Sequence, residues 1–393
     1  MADQALNIQP VIDWLIAGVP PARLPEEVLL ELCQRLLAQG LPLYRVAVFV
    51  RTLHPNVLGL GFIWHEGSDA IEINEAPYDF LESDRYLRSP IRAVFSEHGE
   101  IRRRLADPDW PIDFPVLEDF RGEGVTDFLA VPLRFLNGEV HAASFATRRP
   151  EGFSDAELAA LRRVGVALTR VAEIYAGLRK SRNILDAYLG HHAGEKVLAG
   201  HIRRGDGEDI HAVLWFCDLR DSTALADSMS RADFLRLLNE FFESVLGPVL
   251  ARGGEVLRFI GDAALAIFPV GADPAEACAQ AVHAAHDAIG CMAAANAARA
   301  RPLAFGIGLH LGDVMYGNIG TPTRLEFTVI GAAANEAARI ESLCKTLAVP
   351  LLVSERVARH VPGCTTLGHH RLRGVGNPIE LFTLPTASPP PVR

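Results

Sequence analysis

The sequence has no apolar run approaching the ~18–20 residues that a membrane-spanning helix needs. It has only six cysteines in 393 residues and no C-x-x-C pair, so neither a zinc cluster nor a disulfide framework is expected. Cys33, Cys217, Cys278, Cys291, Cys344 and Cys364 read instead as small apolar residues of a reducing compartment. An excess of positive charge is also missing. Lys and Arg number 38 against 48 Asp and Glu, a net charge of -10, which argues against a nucleic-acid backbone as the main partner while leaving room for a locally positive polyphosphate site. The first ten residues, MADQALNIQP, have neither the basic region nor the apolar core of a secretory leader. The expectation is a cytoplasmic protein with no membrane span and no nucleic-acid partner.

What is present is the composition of a folded chain, 49% hydrophobic and 22% charged, and a length that exceeds one ordinary core. The sequence divides into zones. Over 1–153, an amphipathic helix is expected at 24–38, with Pro25 suited to its first turn and Gly40 to its end. Strands are expected at 43–52, 61–65, 127–136 and 139–146, the last two joined by an Asn137-Gly138 hairpin turn, with a long irregular stretch between the pairs. Phe49, Phe62, Trp64, Phe128 and Phe135 are read as core residues. His54 and His65 are not read as haem or metal ligands. This order of helix, strand pair, irregular middle and hairpin resembles a GAF-type sensor domain, which implies an antiparallel-sheet α+β fold and an unidentified small-molecule or protein signal.

Over 154–208, Ser154 and Glu157 form a capping box that starts a long helix. One heptad seam carries Leu161, Leu168, Tyr175, Arg182 and Leu189; the other carries Val164, Val171, Leu178 and Leu185. That register predicts a parallel coiled coil between two chains, Arg182 being its weak point. The alternative is a helix that packs back on the first domain. The helix is expected to stop near Gly190 or Gly194, and the charged, glycine-containing stretch after it reads as a hinge.

Over 209–385 the pattern is strand 211–219, a helix capped by Ser230, strands 255–260 and 263–268, a helix from Asp273-Pro274, strands 303–309, 314–319 and 325–330, and a helix 332–345. The order is β-α-β-β-α-β with additions, the ferredoxin-like split βαβ arrangement. The Pro-rich tail 386–393 reads as disordered.

Two carboxylates stand out in this zone. Asp218 closes the first strand, in FCDLRDST, and Asp262 sits on the turn of RFIGDAALAIF. In a split βαβ sheet the first strand lies beside that hairpin, so both can reach one point. Magnesium takes oxygen ligands and is usually held by one or two carboxylates, water and substrate phosphate. Alone, a strand-end Asp is ordinarily a cap and Gly-Asp an ordinary turn.

Together these segments resemble the class III adenylyl and guanylyl cyclases. EFTVIGAAANEAARIES carries Asn335 and Arg339 four residues apart on one helix face, GIGLHLGDVMYGNIG matches a strand–turn–strand, and HRLRGVGNPIELFTL matches the closing strand pair. The resemblance implies that Asp218, Asp262 and the Leu219 carbonyl hold two Mg²⁺ or Mn²⁺ ions. It further implies that Asn335 orients the ribose and that Arg339 stabilises the transferring phosphate of a nucleotide whose metals sit on the other subunit. The active unit would then be a homodimer with ATP as substrate.

The plain alternative for this helix is a surface ion pair between Glu336 and Arg339. The family's base-reading positions hold Arg258 and Thr328, a donor and a small hydroxyl that can serve adenine; the family's glutamate for guanine is not at those positions, Arg is not equivalent to the family's Lys, and GTP or a pyrimidine nucleotide is the alternative substrate. A triphosphate-contacting Lys is replaced by Val375, so Arg371 or Arg373 would take its place, and Asp313 stands where some members have Arg. The glycines Gly306, Gly308 and Gly312 lie within strand patterns and are not read as a phosphate loop. No histidine is placed as a general base: His310 reads as a strand residue, His283 and His286 as a helix face. A diguanylate cyclase would need a GGDEF-like turn, which IGDAALAIF lacks. A catalytically dead dimer is the reading from another class.

Overall fold

Apolar residues three and four apart build two N-terminal helices, α1 (Gln9–Ile16) and α2 (Pro25–Ala38), in a computed structural model that describes residues 6–107, 110 and 113–385. The chain divides into two units, Met1–Ala187 and Tyr188–Arg393. The first continues with strands β1 (Arg45–Arg51), β2 (Val57–His65) and β3 (Glu72–Pro77). A 3₁₀ turn, Tyr78–Glu82, then precedes α3 (Asp84–Leu87), α4 (Pro90–Glu97), β4 (Ile101–Arg103) and α5 (Val116–Gly122). The stretch expected to be irregular therefore holds short helices and two strands. Strands β5 (Asp127–Arg134) and β6 (Val140–Thr147) complete an antiparallel sheet of order β3-β2-β1-β6-β5-β4. Between them Gly138, at φ 85°, lets the chain turn. One sheet face packs on α1, α2 and the following long helix, and the other on α4 and α5.

That long helix, α6 (Asp155–Leu189), starts at the expected capping box: Ser154 N–H donates to Glu157 Oε2 at 2.7 Å, and Glu157 N–H to Ser154 Oγ at 3.3 Å. The coiled-coil register needs correction over its first half. Leu161, Val164, Leu168 and Val171 are all buried in the core of their own unit, because the inner sheet face would otherwise lie bare. Beyond Ala176 the seam residue Leu178 is 64% exposed.

In the second unit, Gly190 (φ 84°) breaks the helix, and α7 (His191–Leu198) follows at once where a hinge was expected. The buried Glu255 holds it in place, accepting from the Ala193 N–H at 3.4 Å and the Tyr316 hydroxyl at 2.8 Å. The sheet elements and helices then run β7 (Gly207–Leu219), α8 (Ser222–Ser228), α9 (Arg231–Ala251), β8 (Glu255–Ile260), β9 (Ala263–Pro269), α10 (Pro274–Asn296), β10 (Phe305–Thr321), β11 (Arg324–Ile330), α11 (Ala332–Leu347), β12 (Leu351–Ser354), α12 (Glu355–Ala358), β13 (Thr365–His370) and β14 (Ile379–Thr383). Sheet order is β13-β14-β12-β10-β7-β9-β8, with β11 paired to β10. The run β10-β7-β9-β8 is the split βαβ order, with α9 and α10 covering one face.

The strand–turn–strand expected around Gly312-Asp313 is a single strand, β10, paired without interruption to β7 from Phe305↔Leu219 to Gly317↔Gly207. Its alternate glycines make room for a helix. A Cβ on Gly308 would stand 2.5 Å from the Glu341 backbone N and 2.6 Å from the Ala337 carbonyl, so α11 lies directly on the strand backbone. Among the described residues no helix is long and apolar enough to cross a membrane. The tail 386–393 lies outside the described residues.

Candidate active site

Asp218 stands at the end of β7, and Asp262 follows Gly261 (φ 65°) on the β8–β9 turn. The β7–β9 register sets Asp218 opposite Ala263, and the Leu219 N–H donates to the Asp262 carbonyl at 3.3 Å. Pairing of the two strands thus delivers both carboxylates to one place. Partial burial, the charge of Asp262 and a hydrogen bond between the two carboxyls raise the Asp218 pKa above the usual carboxylate range. Arg220 and the Leu219 N–H oppose that shift. Arg220 is distant relief, its Nη1 lying 4.0 Å from Asp218 Oδ2.

The stronger partner of Arg220 is Glu341 on α11: Nη2 lies 2.6 Å from Oε1 and donates to the Glu341 carbonyl at 3.2 Å. Glu341 is 2% exposed, and burial, with the charges of Asp218 and Asp262, pushes its carboxyl up to about 7 although Arg220 pulls it down. Neither Arg220 nor Glu341 figured among the residues read from the sequence. The alternate glycines were the available signal, since they announce the close approach that buries Glu341.

Among the described residues no group of three or more His, Cys, Asp or Glu is placed to hold a metal ion. A divalent cation here would rely on Asp218, Asp262 and a backbone carbonyl such as that of Leu219. These donors fit a hard cation, being all oxygen, and two adjacent carboxylates whose repulsion lacks a close counter-ion gain from one.

Asn335 and Arg339 project from α11, Asn335 exposed and Arg339 half-buried. Their four-residue spacing keeps them on one face, while Ala333, Ala337, Ile340, Glu341 and Cys344 form the buried stripe. Glu341 lies two residues beyond Arg339, roughly 200° around the helix. With Glu341 turned toward Arg220 and Asp218, Arg339 points elsewhere. Among the described residues no hydrogen bond or ion pair joins Asn335 or Arg339 to either aspartate. Its guanidinium instead lies beside Gly374, where a Cβ would stand 3.5 Å from Nη1. Arg371 and Arg373, exposed on either side of the buried Leu372, occupy this same loop after β13. The Glu336–Arg339 pair does not form. Glu336 Oε2 lies 2.8 Å from His310 Nε2, and burial holds His310 down at about 4, leaving it neutral.

Arg258, on β8, faces β11: its Nε lies 3.2 Å from Glu326 Oε1. Thr328, two residues along β11, is 3% exposed, and its Oγ1 has no hydrogen-bond partner among the described residues. Neither base-reading position holds a glutamate, but the fold brings Glu326, from outside those positions, beside Arg258. His283 and His286 lie on α10, and Asp313 Oδ1 pairs with His211 Nδ1 at 2.7 Å.

Residues 208–384 match the family model of the adenylate and guanylate cyclase catalytic domain. The uncharacterized protein Rv1318c of Mycobacterium tuberculosis is 36% identical over 220 residues, spanning 52% of this chain and 39% of the relative. The uncharacterized protein Rv1319c of the same organism is 37% identical over 184 residues, spanning 45% of this chain and 33% of the relative. The chain thus spans well under half the length of these relatives. Among solved structures, a bacterial light-regulated adenylyl cyclase is 28% identical with a TM-score of 0.41, covering 45% of this chain and 91% of its own. The guanylate cyclase domain of RhGC from Catenaria anguillulae, in complex with GTP, is 21% identical with a TM-score of 0.39, covering 44% and 96%.

Proposed function

Because residues 208–384 match the family model of the adenylate and guanylate cyclase catalytic domain, we propose that this region converts ATP to 3′,5′-cyclic AMP and pyrophosphate at sites shared between two copies of the chain. The observation that carries the shared site is the orientation of α11. Glu341 faces its own Asp218, so Arg339, roughly 200° away, serves a partner's nucleotide. Exposed apolar side chains on the β8–β9 hairpin (Phe259, Ile260) and the β10–β11 ribbon (Ile319, Leu325) supply surface for such a partner.

In this reading Asn335 orients the ribose, Arg339 neutralises charge on the α-phosphate as it transfers, and Arg371 or Arg373 binds the outer phosphates. Arg258 and Thr328 read the base. The ribose 3′-oxygen bonds to the α-phosphorus, the bond to the pyrophosphate oxygen breaks, and the hydroxyl proton leaves to solvent. Two Mg²⁺ or Mn²⁺ ions, held by Asp218, Asp262 and the Leu219 carbonyl, would supply the acidity that lowers the hydroxyl pKa and the charge that stabilises pyrophosphate. No side chain is needed as general base; the neutral, buried His310 lies beside Glu336. One observation favours GTP as a second reading: the Glu326 carboxylate beside Arg258 could accept from guanine N1 and N2.

A sensor role for the first unit is supported by a cavity of about 60 Å³ lined by apolar side chains such as Val28, Leu29, Phe62 and Leu168, between its sheet and the helices α2 and α6. The test is incubation with ATP, GTP, CTP and UTP under Mg²⁺ or Mn²⁺, with products identified by mass. Cyclic AMP as the main product is expected, and no cyclic product from any nucleotide rejects the proposal. Mixing Asp218→Ala with Arg339→Ala protomers should restore about a quarter of wild-type activity, since half the dimers then hold one intact site. Demonstrated heterodimers without recovery would remove the shared site.

A further inference from the structure

Arg258 and Thr328 both carry polar atoms shut away from water that have no hydrogen-bond partner among the described residues: Arg258 Nε and Thr328 Oγ1. Burying such atoms unsatisfied is costly, and two of them on facing strands leave hydrogen-bonding capacity for a ligand to meet. Glu326 completes the group. Its Oε1 is 3.2 Å from Arg258 Nε, close enough for attraction, yet that N–H is not aimed into a hydrogen bond. Glu326 and Thr328 alternate on one face of β11, while Phe327 between them packs on Tyr316 at 4.7 Å in the core. The face thus presents a carboxylate at its rim (the Glu326 side chain is 47% exposed) and a hydroxyl at its floor, with a guanidinium opposite.

We infer that Glu326 is a base-reading residue, its carboxylate accepting the 6-amino group of adenine while Arg258 donates to N1 and the Thr328 hydroxyl lines the floor. The inference rests on the cyclase reading of this domain. The hydrogen-bonding edge of adenine offers one donor, at the 6-position, beside one acceptor, N1. A carboxylate and a guanidinium held side by side match that edge in one order only. Guanine presents the reverse order, an acceptor at the 6-position and donors at N1 and N2. Without a base the two charges hold each other loosely; with one, each gains the partner it lacks. The ion pair would therefore be the resting arrangement of the reader and not a surface ornament.

The experiment compares ATP with purine riboside triphosphate, which lacks only the 6-amino group, on the full chain and on Glu326→Ala. Removing the carboxylate should lower kcat/KM for ATP about tenfold, mostly through KM, and leave purine riboside triphosphate unchanged. Glu326→Gln, which keeps an acceptor oxygen, should recover part of the loss. Equal losses on both nucleotides would show that Glu326 only props Arg258, and would overturn the inference. A wild-type preference for GTP over inosine triphosphate that vanishes in Glu326→Ala would overturn it too, in favour of guanine. Calorimetric binding of the α,β-methylene forms of ATP and of purine riboside triphosphate gives the same comparison without turnover. An ATP-specific loss of affinity supports the inference, and an equal or absent loss rejects it. Failure of the cyclase reading is seen separately, as wild-type protein that turns over no nucleotide.

Discussion

The Glu341 carboxylate lies 2.6 Å from the Arg220 guanidinium, tying the middle of α11 to the strand end that carries Asp218. Both side chains are largely shielded, at 3% and 15% exposure, so neither charge can be left without the other. Arg220→Ala should therefore cost about 3 kcal/mol of stability, measured by denaturant unfolding of the full chain. Arg339→Ala, on the far side of the helix, should change stability by less than about 1 kcal/mol and still abolish cyclase activity. Equal destabilisation by the two would mean that Arg339 is structural and would detach it from the site.

The close approach of α11 to β10 makes its own prediction. A methyl group at Gly308 meets backbone atoms of Glu341 and Ala337, which have nowhere to move. Gly308→Ala should destabilise by about 1–3 kcal/mol, while Gly271→Ala, whose Cβ meets nothing within 4 Å, should stay near wild type. Activity lost by Gly308→Ala at full foldedness would show that the helix shifts with Asn335 and Arg339 aboard.

Much of the second unit was legible in the sequence because its signals are local. The Ser230 cap, the turn at Gly261-Asp262 and the period of the Ala-rich helix each need only a few neighbouring residues. What failed depended on distant partners. Gly312-Asp313 looks like a turn, yet it is an unbroken strand whose missing side chain admits Ala333. The heptads of α6 are real, but a helix packed on a sheet and a helix in a coiled coil share one apolar period, and only the bare face of the sheet decides between them. Glu326 escaped because it meets Arg258 only when β11 folds beside β8.

Two buried groups near α11 should pull stability in opposite directions with pH. His310 is held down at about 4 against an unfolded value near 6.5, so the unfolded chain binds more protons between those limits. Its contribution is present above 6.5 and is lost as pH falls toward 4. Glu341 is pushed up to about 7 against an unfolded value of 4.5, so its contribution is present below 4.5 and is lost as pH rises toward 7. Each slope is at most about 1.4 kcal/mol per pH unit. Relative to wild type, Glu341→Gln should gain stability as pH rises from 4.5 to 7, and His310→Asn should lose it from 4 to 6.5. Parallel curves for either variant would show that its group titrates as it does in the unfolded chain.

The far end of α6 bears on how two copies would meet. Ile174 is 63% exposed, Leu178 64% and Tyr188 84%. With Ser181 and Leu185 between them, these positions follow the four-three spacing of a coiled-coil seam, displaced from the register whose first half the core absorbs. If this stripe joins two protomers, Leu178→Asp should weaken self-association about tenfold or more, seen by sedimentation velocity. Cyclase activity should then fall at low protein concentration and return at high concentration, because sites shared by two chains vanish on dissociation. Leu168→Asp places its charge in the core of the first unit, where Leu168 is 4% exposed, and should unfold that unit at every concentration. A Leu178→Asp protein that stays dimeric and fully active on dilution would move the dimer contact off α6 and onto the second unit alone.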